Sequence, residues 1–234
     1  MTESRAALVL VAHGSRDPRA LDTVRELVAR VRGQRPGLDV RLAHIELNEP
    51  LVADVLDGLA GRAVLVPLLL SRGYHVKRDL PRAAEAAGHL VTRVAGPLGP
   101  HPLLVDVLHA RLAESGWDGR GGVVLAASGS RDPDADADTR HTAGLLAARL
   151  GVPVVPAYAS GSGPGFADAR RVLGHRAALA SYFTAPGRFA MEAAEAFGEG
   201  CVAAPLGAHP DVARLVLHRY DRAVLGLGRA LVPV

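Results

Sequence analysis

The chain has 234 residues, a formal net charge of +3 at pH 7 and 49% hydrophobic residues, so it is long enough for one large domain or two small ones. Basic residues are scattered and only 4% of residues are aromatic, which argues against a nucleic-acid-binding surface. No apolar run approaches the ~18 residues of a membrane helix, and no signal-type segment precedes the first apolar run. We therefore expect a cytoplasmic protein that binds neither nucleic acid nor a membrane.

Short apolar runs alternate with helical patterns through the first half. The run Ala7 to Ala12 is continuously apolar, as expected of a parallel strand covered on both faces. Asp17 and Pro18 then indicate the start of a helix, and Gly33 indicates its end. The other elements predicted for this half are strands at 40–47, 63–70 and 90–95 and helices at 50–60 and 101–114.

The second half repeats the first. Residues 8–18 read LVLVAHGSRDP and residues 123–133 read VVLAASGSRDP, while PLGPHP at 97–102 returns as PLGAHP at 205–210. The repeat predicts a tandem pair of similar three-layer α/β domains, 1–117 and 118–234, each with a four-stranded parallel sheet. The strands predicted for the second copy are 123–127, 152–158, 177–183 and 201–204, and the linker is 115–122.

Two histidines of the first half are replaced in the second. His13 corresponds to Ser128, and His75 in the segment SRGYH corresponds to Phe189 in APGRF. A lone histidine after a strand is commonly a structural residue, and a Gly-Ser pair before a helix is ordinary turn chemistry. The second copy nevertheless keeps the turn without the imidazole, so we interpret both histidines as functional and the second half as a diverged repeat without them.

The topology predicts that these histidines converge. Sites in parallel sheets form at the carboxyl ends of the strands. His13 follows the first strand, Glu46 and Glu49 end the second, and the loop that carries His75 follows the third. Two imidazoles and at least one carboxylate are therefore expected at one edge of the sheet, and the sequence leaves open whether Glu46 or Glu49 faces it.

Three segments of the first half carry a resemblance to a known family. They are LVLVAHGSRDP, IELNEP at 45–50 and VLVPLLLSRGYHVKRDLP at 64–81. In combination they resemble the class II tetrapyrrole chelatases, which include the sirohydrochlorin ferrochelatases and cobaltochelatases. The duplication resembles the long, two-domain form of that family.

This resemblance implies the roles of several residues. His13 would be a metal ligand and the proton acceptor, His75 the second metal ligand, and Glu49 a substrate contact. The loop before His75 would lie against the macrocycle through Leu70, Ser71, Arg72, Gly73 and Tyr74. The implied reaction inserts a divalent metal into sirohydrochlorin, for siroheme or cobalamin biosynthesis.

The chemistry of the residues fits that reaction. Neutral imidazole is a suitable ligand for Fe²⁺, Co²⁺ or Ni²⁺, and its pKa near neutrality allows it to accept a pyrrole proton. Metal is the substrate, and no organic cofactor is needed. Sirohydrochlorin carries many carboxylates, and four cations within three residues of a histidine are predicted to bind them. These cations are Arg16, Arg72, Lys77 and Arg78.

Other functions fit less well. A histidine phosphatase needs an arginine beside its nucleophile, but Ala12 precedes His13 and Arg16 lies in the turn. A non-catalytic carrier of metal or tetrapyrrole would need the same ligands as a chelatase, and only turnover separates the two. The second half is expected to form a wall of the cleft in place of a dimer partner, which predicts a pseudo-dimeric monomer.

Overall fold

The first half of the chain alternates strands and helices as predicted. The computed structural model describes residues 5–161 and 163–229. In chain order the elements of the first half are β1 (Ala7–Ala12), α1 (Pro18–Gln34), β2 (Val40–His44), α2 (Val52–Asp57), β3 (Gly61–Pro67), α3 (Leu80–Ala86), β4 (Leu90–Val94) and α4 (Pro102–Glu114). A π-helical turn, His75–Asp79, leads directly into α3.

The second half repeats this order with fewer regular strands. Its elements are β5 (Val123–Ala127), α5 (Pro133–Leu150), β6 (Val154–Tyr158), α6 (Phe166–Leu173), β7 (Ala178–Ser181), α7 (Arg188–Phe197) and α8 (Pro210–Arg229). Asp17 and Asp132 cap α1 and α5 in the same way, each accepting a hydrogen bond from a backbone amide two residues on. Of the helices described, none combines the length and the apolarity that crossing a bilayer requires.

Both sheets are parallel, which confirms the predicted α/β class. The first sheet has the order β2-β1-β3-β4 and the second β6-β5-β7. Ala12 pairs with His44, and Val11 with Pro67, so β2, β1 and β3 end side by side. The loops that follow these strands therefore leave the sheet at one edge.

The predicted fourth strand of the second sheet, 201–204, is not a regular strand. Within the described residues this sheet has three strands, and the segment contributes a single parallel bridge between Leu179 and Val202. Gly198 and Gly200 turn the chain just before the segment, and Pro205, which lacks an N–H donor, follows it.

Strands two and three also end earlier than their apolar patterns predict. β2 stops at His44 because the chain then turns toward the sheet edge, where Leu47 adopts a left-handed φ of 65°. β3 stops at Pro67, and the apolar residues that follow leave the sheet to contact the second half. The apolar residues that follow the last residue of each strand therefore make tertiary contacts outside the sheet.

The two halves share one apolar core. Alternate residues of β1, such as Leu8 and Leu10, face this shared core, whereas Val9 and Val11 face the outer helices α2 and α3. A separate outer cluster lies between the second sheet and α6 and α7. The helices α1, α4, α5 and α8 therefore lie between the two sheets.

The final helix of each half packs against the other half. α8 contacts α1, β3 and β4, whereas α4 contacts α5 and β7. Leu104, Leu108 and Leu112 of α4 are fully buried, and each contributes roughly 1.5–3 kcal/mol through burial. This packing crosses the boundary between 1–117 and 118–234. The division of the chain into two domains at that boundary stays a prediction.

Candidate active site

A large cleft opens between the halves at the carboxyl ends of both sheets. Its volume is about 1720 Å³, and it is lined by the turn after β1, the loops after β2 and β3, and their counterparts in the second half. His13 and His75 both lie in this cleft, together with Glu46. The structure therefore brings together the groups that the topology predicts to converge.

The two histidines lie in contact. Their ring centroids are 4.8 Å apart and their planes are nearly perpendicular, at 88°. The side chains are 45% and 32% exposed, so both imidazoles are accessible from the cleft. An incoming ion can reach both rings without a rearrangement of the fold.

Each imidazole has a carboxylate beside it. His75 Nδ1 lies 2.6 Å from Asp79 Oδ2, and His13 Nδ1 lies 3.6 Å from Glu46 Oε1. A neutral His75 that donates from Nδ1 to Asp79 presents its Nε2 lone pair to a ligand, as metal-binding histidines do. Sequence reasoning missed Asp79, although its position four residues after His75 places it on the same face of the helical turn.

The histidine pair is not part of a larger preformed ligand set. Among residues 5–161 and 163–229, no group of three or more His, Cys, Asp or Glu side chains is placed to hold a metal ion. Two imidazoles alone leave coordination positions open for other donors. This arrangement suits a transient ion better than a structural one, because closed four-ligand sets are typical of structural sites.

The turn that carries His13 is fixed by local hydrogen bonds. Ser15 N donates to Asn48 Oδ1 at 2.7 Å, and Ser15 Oγ accepts from Asp17 N at 3.1 Å. Gly14 has a φ of 100°, and a Cβ at this position would overlap the carbonyl oxygen of Glu46. The close approach of the two loops therefore requires glycine.

The second half forms the same turn without an imidazole. Ser130 Oγ accepts from Asp132 N at 3.0 Å, as Ser15 does from Asp17 in the first half. Ser128 stands where the first half has His13, and it also lines the cleft. The observed geometry agrees with the sequence argument that the turn does not need the histidine.

The cleft contains some of the predicted substrate contacts and leaves out others. Glu46 lines it, whereas Glu49 is exposed outside its lining. As a substrate contact, Glu49 stays a prediction. The other predicted contacts that line the cleft are Arg16, Leu70, Ser71, Gly73 and Tyr74. Those that lie outside its lining are Arg72, Lys77 and Arg78.

Two of those outlying cations pair with acids of the second half. Arg72 Nη2 lies 2.7 Å from Asp138 Oδ1, and Lys77 Nζ lies 2.7 Å from Asp132 Oδ1 and 2.8 Å from Asp134 Oδ2. The hydrogen bond from Lys77 lowers the pKa of Asp132, and the acids in turn raise the pKa of Lys77. As substrate contacts, Arg72, Lys77 and the exposed Arg78 stay predictions.

Sequence reasoning missed the cleft residues that the second half supplies. Arg131 is exposed in the cleft, and it forms no ion pair with any other residue that the structure describes. Arg188 stacks on Phe189, with its guanidinium carbon 4.7 Å from the ring centroid. The signal for Arg131 was present, because it repeats Arg16 of the first half. Arg16 likewise forms no ion pair among the described residues, so each turn presents an unpaired arginine to the cleft.

A buried histidine lies at the end of β2, beneath the loop that carries Glu46. His44 is only 2% exposed, and burial lowers its pKa, so it is neutral at pH 7. Its counterpart at the end of β6 is Tyr158, whose pKa is raised to about 12 by burial and by the hydrogen bond to Asp136. Both residues support the cleft floor as uncharged groups.

The model of the CbiX family matches residues 7–115 and 122–223. The sirohydrochlorin ferrochelatase of Bacillus subtilis is 30% identical over 178 residues, which cover 70% of this chain and 67% of that protein. The sirohydrochlorin cobaltochelatase of Methanococcus maripaludis is 34% identical over 80 residues, which cover 32% of this chain and 56% of that protein. For a cobaltochelatase of Priestia megaterium the match covers 50% of that protein, so this chain spans about half the length of several curated relatives.

Solved structures share the fold over nearly the whole chain. SirB from Bacillus subtilis, determined with Fe³⁺, superposes with a TM-score of 0.78 over 97% of this chain and 98% of that one, at 24% identity. CbiX, described as the terminal enzyme of siroheme biosynthesis in denitrifying bacteria, superposes with a TM-score of 0.74 over 93% of this chain and 99% of that one, at 25% identity. With the family match across both halves, these likenesses establish that the chain is a member of the CbiX family.

Proposed function

We propose that the protein inserts a divalent metal into sirohydrochlorin in the cleft between its halves. The observation that carries the proposal is the contact between His13 and His75, whose rings are 4.8 Å apart and open to a cleft of about 1720 Å³. Relatives named sirohydrochlorin ferrochelatase and cobaltochelatase support the same reaction. The products are the metallated ring and two protons, and the proposed reaction uses neither a nucleotide nor an organic cofactor.

The histidines and Glu46 would have separate roles in the reaction. The imidazoles hold the ion while it loses water, and the open coordination positions accept the pyrrole nitrogens one after another. The ring must release two N–H protons, and His13 accepts one at the ring nitrogen that carries no proton in a neutral imidazole. Glu46, beside His13, stabilises the imidazolium that results.

The metal is proposed to be Fe²⁺ or Co²⁺, with Ni²⁺ as the further possibility. A site of two imidazoles does not discriminate strongly among these ions, because the affinities of divalent metals for a given nitrogen site follow the same order in most proteins. Iron would place the protein in siroheme biosynthesis and cobalt in cobalamin biosynthesis. Because the second half already lines the cleft, we propose that the protein acts as a monomer. We also propose a cytoplasmic location, as expected from the sequence.

The experiment that tests this function is an anaerobic absorbance assay with sirohydrochlorin and Fe²⁺, Co²⁺ or Ni²⁺. The expected result is many turnovers per protein molecule, with one metal preferred over the others. Binding of metal and ring without turnover beyond one equivalent would support a carrier instead. The absence of both binding and turnover would overturn the proposal.

Arg131 is proposed to bind a substrate carboxylate across the cleft from Arg16. Arg131→Ala should raise the KM for sirohydrochlorin roughly tenfold, as the loss of one charge-assisted hydrogen bond does, with kcat little changed. Arg171→Ala removes the same charge from an exposed residue outside the cleft and should leave KM unchanged. Equal KM values for Arg131→Ala and the wild type would remove Arg131 from the binding site.

A further inference from the structure

The loop after β3 that carries His75 is held at several points by side chains of the other half of the molecule. We call residues 68–79 the histidine loop. At its start, Thr184 Oγ1 donates a hydrogen bond to the carbonyl oxygen of Leu68 at 3.0 Å, and Tyr182 OH donates to that of Leu70 at 3.2 Å. Two backbone carbonyls that have left the first sheet are therefore satisfied by side chains of the second half.

The strongest attachment lies in the middle of the loop. The Asp138 carboxylate accepts hydrogen bonds from Arg72 at three nitrogens: the backbone N at 2.9 Å, Nε at 3.0 Å and Nη2 at 2.7 Å. Asp138 is only 4% exposed, whereas the Arg72 side chain is 50% exposed. A bidentate pair between arginine and a carboxylate fixes orientation as well as distance. The added bond to the backbone fixes the main chain three residues before His75.

A further ion pair closes the loop on the other side of His75. Lys77 Nζ donates to Asp132 at 2.7 Å and to Asp134 at 2.8 Å, at the start of α5. His75 therefore lies between two attachments to the same helix, one at Arg72 and one at Lys77. Its ring has little freedom to leave the cleft while both attachments hold.

The matching loop of the second half lacks these ion pairs. By the repeat register, Pro186 stands at the position of Arg72 and Met191 at that of Lys77, while Thr23 stands at that of Asp138. Met191 instead accepts a contact from Arg19 Nη2 at 3.1 Å. The attachments are thus one-sided, and they occur on the loop that has kept its histidine.

From this asymmetry we infer that the second half positions the histidine loop for catalysis, with Asp138 as the principal positioning residue. The inference rests on the proposed function, since it assigns the anchoring to the reaction at His13 and His75. Asp138 itself lies outside the cleft lining and acts through Arg72. The second half, which lacks the histidine pair, is therefore required for the geometry of the first.

The test compares Asp138→Asn and Asp138→Ala with a matched control. Asp221→Asn is the control because Asp221 forms a bidentate pair with Arg35, also between the halves, but away from the cleft. The released Arg72 cation is half exposed and remains solvated, so the Asp138 variants are expected to fold. Lys77→Met, which installs the residue found in the second half, is a second variant on an exposed position.

Activity should separate positioning from a merely structural role. Asp138→Ala should lower kcat on the order of 100-fold, the effect of displacing a reacting group by about 1 Å, with the KM for sirohydrochlorin within about twofold. Asp138→Asn keeps an acceptor for the Arg72 amide and should lose less, and Lys77→Met should lose less again. An unchanged kcat in folded Asp138→Ala would overturn the inference.

Amide hydrogen exchange provides a readout that does not depend on activity. Exchange in residues 68–79 should be faster in the Asp138 variants and unchanged in Asp221→Asn, with the β1 amides protected in all of them. Unchanged exchange in the histidine loop would overturn the inference. A wild-type protein without metal insertion would overturn the proposed function instead, and the exchange comparison would still decide whether Asp138 holds the loop.

Discussion

His13→Ala and His75→Ala are each expected to reduce the rate of metal insertion by about 10²–10⁴-fold, the range seen when a general base is removed. Each variant removes one of the two ion ligands, and His13→Ala also removes the proton acceptor. The free energy of unfolding should change by no more than ~0.5 kcal/mol, because both side chains are partly exposed and lie outside the apolar cores. The anaerobic absorbance assay measures the rate, and denaturant titration measures the stability.

The histidine control is His141→Ala. His141 is an exposed residue of α5 that does not line the cleft, so its loss should leave both rate and stability unchanged. If either cleft variant turned over metal as fast as His141→Ala, the pair would not be the insertion site. A rate lost only with His13→Ala would assign the proton transfer to His13 and leave His75 without a required role.

Gly14→Ala should damage both the fold and the reaction. The left-handed backbone alone costs a non-glycine residue about 1–2 kcal/mol, and the added Cβ overlaps the carbonyl oxygen of Glu46. The two loops are joined by a hydrogen bond from Glu46 N to His13 O at 3.1 Å, so relief of the overlap must move His13 or Glu46. A displacement of about 1 Å would lower kcat roughly 100-fold.

Gly121→Ala is the matched control for that substitution. Gly121 also has a positive φ, of 80°, and its Cβ would overlap the carbonyl oxygen of Arg176, but it lies outside the cleft. Its free energy of unfolding should fall by a similar amount, while kcat per folded molecule stays at the wild-type value. Equal kcat losses in the two variants would show that general destabilisation, and not the position of His13, explains the effect of Gly14→Ala.

The elements that the sequence predicts well are those whose cause is local. Ala7–Ala12 and Val123–Ala127 form strands over the predicted residues because a continuous apolar run between turn residues has few alternatives. The start of α1 follows from Asp17 and Pro18, which supply a cap and a suitable first residue. The histidine pair was found by comparing the two copies, which separates what the turn requires from what the chemistry requires.

Other features depend on contacts between the halves, and local patterns carry no information about these. Arg72 and Lys77 were predicted to face the substrate because they adjoin His75, yet their partners lie 66 and 55 residues further along the chain. The sequence does not distinguish a cationic residue that binds a ligand from one that pairs with a distant carboxylate. Arg131 was missed for the converse reason, since a repeated turn residue is visible in the sequence but its exposure in the cleft is not.

Because α8 packs against the first half and α4 against the second, the order in which the chain is synthesised affects its folding. A ribosome completes β3 and β4 long before it synthesises α8, the helix that packs on them. The nascent first half therefore presents uncovered apolar surface while the second half is still being translated, and such surface is prone to aggregation. The histidine loop also lacks its anchors during this interval, since Asp138 and Tyr182 are made later. The histidine loop therefore has all its anchors only after both halves have been synthesised.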